Sequence, residues 1–195
     1  MKLAQNFDHI EFTKTAWDKL DQRTQIELQA MANLLQEIRT ALGKQITISS
    51  GVRSLDDYKR LQSQGLNPSP TSDHFYGAKV PCTKGSAAFK KYGTAYKLAV
   101  GAADITCPSM DAVEFYNFIA KMRYNGNIKT GQLLLEKNKT MWVHIANFMD
   151  PFLTPDDKKL RGDWSLNGMG YSLDNGKSWT VLDQAKKQYL PKNLK

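Results

Sequence analysis

Apolar residues in "TQIELQAMANLLQEIRTALG" fall at Leu28, Met31, Leu35, Ile38 and Leu42, a three-and-four spacing that lines one face of a helix. Thr24 with Glu27 suits a capping box at its start, and Gly43 suits the left-handed residue that ends it. "QITISSG" follows with Ile46 and Ile48 alternating with polar residues, a short strand that turns at Gly51. A second helix is expected from Leu55, with Ser54 as its cap and Gly65 past its end. Between Leu66 and Asp73 the Pro, Ser, Asn and Thr content rules out regular structure, so His74 emerges from a loop.

The pattern weakens from Gly77 to Gly101, where Lys, Gly, Ala and aromatic residues predominate, and this stretch reads as an inserted lobe. "GAADIT" reads as a buried strand containing Asp104. Ser109 is expected to cap the next helix, which carries Val113, Tyr116, Ile119 and Met122 and stops at Gly126. "GQLLLEKNKTMWVHIAN" predicts two strands joined by a polar turn at 137–140, with His144 on the second. Beyond Pro151 the texture becomes polar and Gly-rich, and Asn175-Gly176 marks another hairpin.

Totals narrow the class. The 195 residues, 41% hydrophobic and 24% charged, fit one globular domain that can bury a core without disulfides or metal. No apolar run reaches membrane-spanning length, and the opening "MKLAQNFDHIEF" lacks a signal-peptide core, so synthesis in the cytoplasm is expected. Cys82 and Cys107 are too far apart for a two-Cys metal knuckle and read as buried thiols. Lys and Arg outnumber acids 27 to 19. The excess favours polyanionic surroundings, of which nucleic acid is the lesser choice because the basic residues are scattered and no nucleic-acid motif accompanies them.

Three polar residues stand where apolar neighbours imply burial: His74 between loop and glycine, Asp104 in "GAADI" and His144 in "MWVHIAN". An unpaired buried carboxylate is costly, so Asp104 needs a partner. A lysine would serve, and His144 can be an ordinary strand histidine. A shared metal would serve all three, and two imidazoles with one carboxylate leave a tetrahedral position open, as in a catalytic zinc site.

These pieces together resemble a known family. "NFDHIEFTKT", "LLQEIRTALGKQITISSGVRS", "SDH", "GAADI" and "WVHIAN" are similar, in order and over residues 5 to 147, to segments of the peptidase M15 group of zinc D-Ala-D-Ala carboxypeptidases and peptidoglycan endopeptidases. The resemblance implies an α+β chain of the Hedgehog/DD-peptidase-like fold, with a central antiparallel sheet, flanking helices and a small C-terminal β-hairpin extension. A catalytic domain at 1–150, with an insertion at 78–100, would precede an extension at 151–195 holding the hairpin and a short helix. One zinc ion would be held by His74, Asp104 and His144. Arg53 would meet a substrate carboxylate or steady the scissile carbonyl, and Ser72 would bond a ligand or the substrate backbone.

Two departures accompany the resemblance. The stretch 78–100 stands between His74 and Asp104, which lie much closer together in relatives. Met141 occupies the place where several relatives carry an acid before the last histidine. "QLLLE" resembles a branch with an acid on the preceding strand, so Glu136 is the candidate general base, with Asp73 among the alternatives. The implied activity is hydrolysis of amide bonds in peptidoglycan stem peptides by a monomer acting at the bacterial wall, delivered by phage lysis or a virion, with anionic envelope polymers as further partners. The rival is a non-catalytic binding or virion protein that keeps the fold. In the tail, "SLDNGKSW" resembles an Asp-box turn, in which Asp174 closes the turn, Gly176 takes a positive φ and Trp179 packs beneath.

Overall fold

The computed structural model describes residues 1–65, 72–76, 79–81, 96–98, 100–147 and 168–194. Strands β1 (Lys2–Ala4) and β2 (Phe7–Asp8) form a small antiparallel ribbon ahead of helix α1 (Gln22–Leu42). The apolar face of α1 is buried where its spacing predicts, through Leu28, Met31, Leu35 and Ile38. Its start differs from expectation. Asp21 is the cap and accepts from the Thr24 N–H, while Glu27 is fully buried and turned inward to Asn147. An Asp in extended backbone directly before the first turn can reach an unpaired N–H at once, leaving the glutamate free for the core. At the other end Gly43 takes φ 66 and donates to Arg39 O.

Strand β3 (Thr47–Ser50) leads to helix α2 (Leu55–Ser63), which Ser54 caps in a reciprocal box with Asp57. A single 3-10 turn, Asp73–Phe75, carries His74. Strands β4 (Lys79–Pro81) and β5 (Tyr96–Leu98) pair antiparallel in a sheet of their own, so the two ends of the expected insertion close into a ribbon apart from the central sheet. The rest of that insertion, Cys82 included, lies outside the described residues, whereas Cys107 is a buried free thiol.

Strand β6 (Ala102–Thr106), helix α3 (Ala112–Tyr124), and strands β7 (Thr130–Lys137) and β8 (Met141–Asn147) follow in the expected order. Asp111, not Ser109, caps α3, accepting from Val113 N and Glu114 N; residues 108–110 instead form a turn closed by Met110 N–H to Cys107 O. The chain ends with β9 (Met169–Ser172) and β10 (Thr180–Val181).

The central sheet has six strands in the order β10-β9-β7-β8-β6-β3. It is mixed, not antiparallel throughout, because β9 lies parallel to β7. Local turn signals foresaw the β7–β8 and β9–β10 pairs, but no turn dictates which free edge a returning strand joins. The C-terminal hairpin therefore belongs to the central sheet. Residues 184–187 are turns, and no helix is present among the described residues 168–194. In the hairpin turn, Asp174 accepts from Ser178 N and Oγ and from Ser172 Oγ, which hold its carboxyl down to about 2. Asn175 and Gly176 take positive φ, but Trp179 stays 39% exposed rather than packing beneath.

Side chains alternate across the sheet. Ala103, Ile105, Leu133, Leu135, Val143, Ile145 and Met169 share one core with the buried faces of α1 and α3, so both long helices cover the same side. The opposite side carries Asp104, His144, Leu134 and Glu136, as the direct pairs Asp104↔His144 and Leu134↔His144 require. The α+β arrangement thus places both long helices on one sheet face and these polar side chains on the other.

Candidate metal centre

Asp104 in β6 and His144 in β8 are antiparallel partners, which puts both side chains at one height on the face opposite the long helices. The third group arrives from outside the sheet. Ser72 caps the 3-10 turn by accepting from His74 N–H, and the turn is anchored by Arg53 N–H donating to His74 O at 2.8 Å. His74 Nδ1 donates to Gly51 O at 2.6 Å. Gly51 is required at that place by space: a Cβ there would meet Phe12 O at 2.4 Å and Phe12 Cα at 2.6 Å.

The bond to Gly51 fixes which nitrogen of His74 carries the ring proton. A carbonyl only accepts, so Nδ1 carries the proton and, in the neutral ring, Nε2 bears a lone pair. That Nε2 lies 3.2 Å from Asp104 Oδ1, and His144 Nδ1 lies 2.9 Å from the same oxygen. The His74 lone pair and the Asp104 carboxylate oxygen repel one another unless a proton or a cation lies between them, whereas a proton on His144 Nδ1 would let that ring donate to the same oxygen. One ligand atom from each of His74, Asp104 and His144 lies within 4.8 Å of the other two, and the side chains are 3%, 15% and 8% exposed. Among the described residues this is the one group of His, Cys, Asp and Glu that can hold a metal ion. Each histidine offers one nitrogen to the centre, and the other nitrogen of His74 is oriented by a carbonyl, the arrangement usual for metal-bound imidazole.

The electrostatics agree. Burial would raise the Asp104 carboxyl, but the His74 charge and hydrogen bonds from both histidines outweigh it and hold the group well below the carboxylate range. Burial would likewise depress His144, and the Asp104 hydrogen bond and charge lift it above its ordinary value. The cluster thus favours a positive charge at its centre, whether protons or an ion supply it.

No protein-family model matches the chain. Searches of the curated proteins and of the solved structures find no match either. The reading of the site therefore rests on its own geometry.

Glu136 lies on the same sheet face, diagonal to His144, because its direct partner across β7 and β8 is Trp142. It is not one of the grouped ligands. Burial raises its carboxyl first, and it feels the charges of His144, Asp104, His74 and Arg53. Arg53 is half-buried, its guanidinium lowered by burial and supported by Asp104, Glu136 and Asp57. Met141, by contrast, packs against the core on the helix side, so its side chain points away from His144. A pocket of about 400 Å³ lined by Cys107, Met110, Phe115 and Met141 is also on that side and includes none of the three grouped residues.

Sequence reasoning did not single out Gly51 as the group that orients His74, nor the buried pairing of Glu27 with Asn147. The one available signal for Asn147 was a polar residue ending the apolar run "WVHIAN". Among the described residues, no helix is long and apolar enough to cross a membrane.

Proposed function

We propose that the chain is a zinc-dependent peptidase of the M15 kind that hydrolyses amide bonds in bacterial peptidoglycan peptides. The observation that supports this most is His74, whose Nδ1 is committed to Gly51 O while its Nε2 faces Asp104 Oδ1 beside His144 Nδ1. A three-ligand N, N, O site with an open position suits zinc, which when bound polarises a carbonyl and lowers the pKa of water toward neutrality.

The chain's own residues then take distinct parts. Glu136, raised by burial and next to the centre, accepts a proton at its carboxylate and returns it to the leaving amine. Arg53 presents its planar fork to a substrate carboxylate or the scissile carbonyl. Ser72 holds the His74 turn and offers its hydroxyl at the rim. The formal charge of +8 favours approach to anionic wall polymers.

One observation favours a second reading, a non-catalytic binding or virion protein. Asp104 is within bonding distance of both histidines, so one added proton on His74 Nε2, with His144 donating from Nδ1, would satisfy the cluster without an ion. Incubation of the zinc-supplemented protein with purified muropeptides, followed by mass analysis, separates the readings. New peptide termini that vanish with chelator and in His74→Ala support the peptidase; intact muropeptides across D,D-carboxypeptidase and endopeptidase substrates support the binding protein.

A further inference from the structure

The three grouped ligands come from distant parts of the chain, and one buried polar layer joins those parts close to each ligand. Asn147 follows His144 on β8, Val100 and Gly101 precede Asp104, and Asp73 adjoins His74. Asn147 N–H donates to Gly101 O at 3.0 Å, and its side-chain Nδ2 lies 2.9 Å from Val100 O and 2.8 Å from Glu27 Oε2. Gly101 N–H donates to Asp73 O at 3.0 Å, and Val100 N–H to Asp73 Oδ1 at 3.3 Å. Tyr76 O–H donates to Ala102 O at 2.8 Å, joining the far side of the His74 turn to the start of β6.

Two further features show how tightly this layer is built. Gly101 takes φ 85, and a Cβ on it would meet the Tyr76 ring at 2.7 Å and Asn147 Nδ2 at 3.1 Å, so no other residue fits. Tyr76 itself sits at φ 24, a conformation that a bulky side chain holds only when its surroundings impose it. Asn147, Asp73 and Tyr76 are buried, and directional bonds between buried groups specify one arrangement where apolar packing tolerates several.

We propose that Asn147 is a positioning residue for the metal centre, with Tyr76 as its helper: together they lock the His74 turn and the Asp104 strand to the His144 strand, so that an ion meets a triad already in place. The proposal rests on the metal reading above and deepens it. It also accounts for the long insertion inside the ligand set. The bonds between Asp73, Val100, Gly101 and Asn147 close the base of that insertion, so its length adds no freedom to the ligands.

The test is titration of metal-free wild type, Asn147→Leu and Tyr76→Phe with Co²⁺. The affinity is read by chelator competition, the coordination by the visible absorption bands, and the fold by circular dichroism. The expected result is one Co²⁺ on wild type and a loss of about tenfold or more in affinity for Asn147→Leu, the scale of outer-layer metal-site changes, with shifted bands in a folded protein. Tyr76→Phe should move both readouts in the same direction. Wild-type affinity and bands in both folded variants would overturn the positioning role. Should Asn147→Leu not fold, Tyr76→Phe, which removes only one oxygen, decides alone. Absence of Co²⁺ binding by wild type would instead overturn the metal reading, and the positioning role with it.

Discussion

Asp104 and His144 face each other across adjacent antiparallel strands, with Asp104 Oδ1 at 2.9 Å from His144 Nδ1. The same oxygen lies 3.2 Å from His74 Nε2, so one carboxylate holds two imidazoles. Removal of that carboxylate leaves both rings buried without their common partner. Asp104→Leu is expected to cost about 3 kcal/mol in the metal-free protein, the scale of a broken buried charge pair. Urea denaturation at pH 6 in the presence of chelator measures it, and an unchanged midpoint would contradict the pairing.

The pH dependence follows from the same contacts. His144 is lifted above its ordinary 6.5, so its contribution to stability is complete below that pH and is lost as pH rises through the raised value. Asp104 is lowered from its ordinary 3.8, so its contribution is present above that pH and is lost only in stronger acid. Glu136, raised from 4.5 first by burial, acts against stability once the pH passes its ordinary value. The metal-free chain should therefore melt at lower temperature as pH climbs above 6.5. Zinc should reverse that trend, since ligation requires the neutral ring and is favoured as protons leave. Melting curves with chelator and with zinc between pH 5 and 8 check both slopes.

Gly51→Ala tests the support of His74 without touching a ligand. Its Cβ would meet the Phe12 backbone at 2.4 Å, so either the N-terminal segment or the Gly51 carbonyl must move. A loss of about 1–3 kcal/mol is expected for such overpacking, together with weaker metal binding. A variant as stable as wild type would show that the contact between Gly51 and Phe12 is dispensable.

Much of this was legible in the chain because it depends on local pattern. The spacing of Leu28, Met31, Leu35 and Ile38 set the buried face of α1, and the polar turn before "MWVHIAN" set His144 on the second strand of a hairpin. What escaped was non-local. The parallel join of β9 to β7 has no turn to announce it. Asp21 and Asp111 displaced the expected caps because a competing acid stood closer to each helix start. Glu27 looked like a capping partner from its position, and only its contact with Asn147, far along the chain, explains its burial.

Glu136→Gln separates binding from chemistry. Glu136 lies beside the His74, Asp104 and His144 group without belonging to it, so on the proposed function the variant should bind metal nearly as well as wild type while its muropeptide hydrolysis falls by about 10²-fold or more. Loss of metal in the same proportion as activity would make Glu136 a ligand, contrary to the arrangement described.

The most direct test of the central claim is the metal content of protein purified without a metal-affinity tag, determined by elemental analysis for wild type and His144→Ala after zinc supplementation. Zinc bound stoichiometrically by wild type and lost in the variant is the predicted result. Wild type devoid of zinc, with both proteins folded, would contradict the account and leave His74, Asp104 and His144 as a proton-bridged polar cluster.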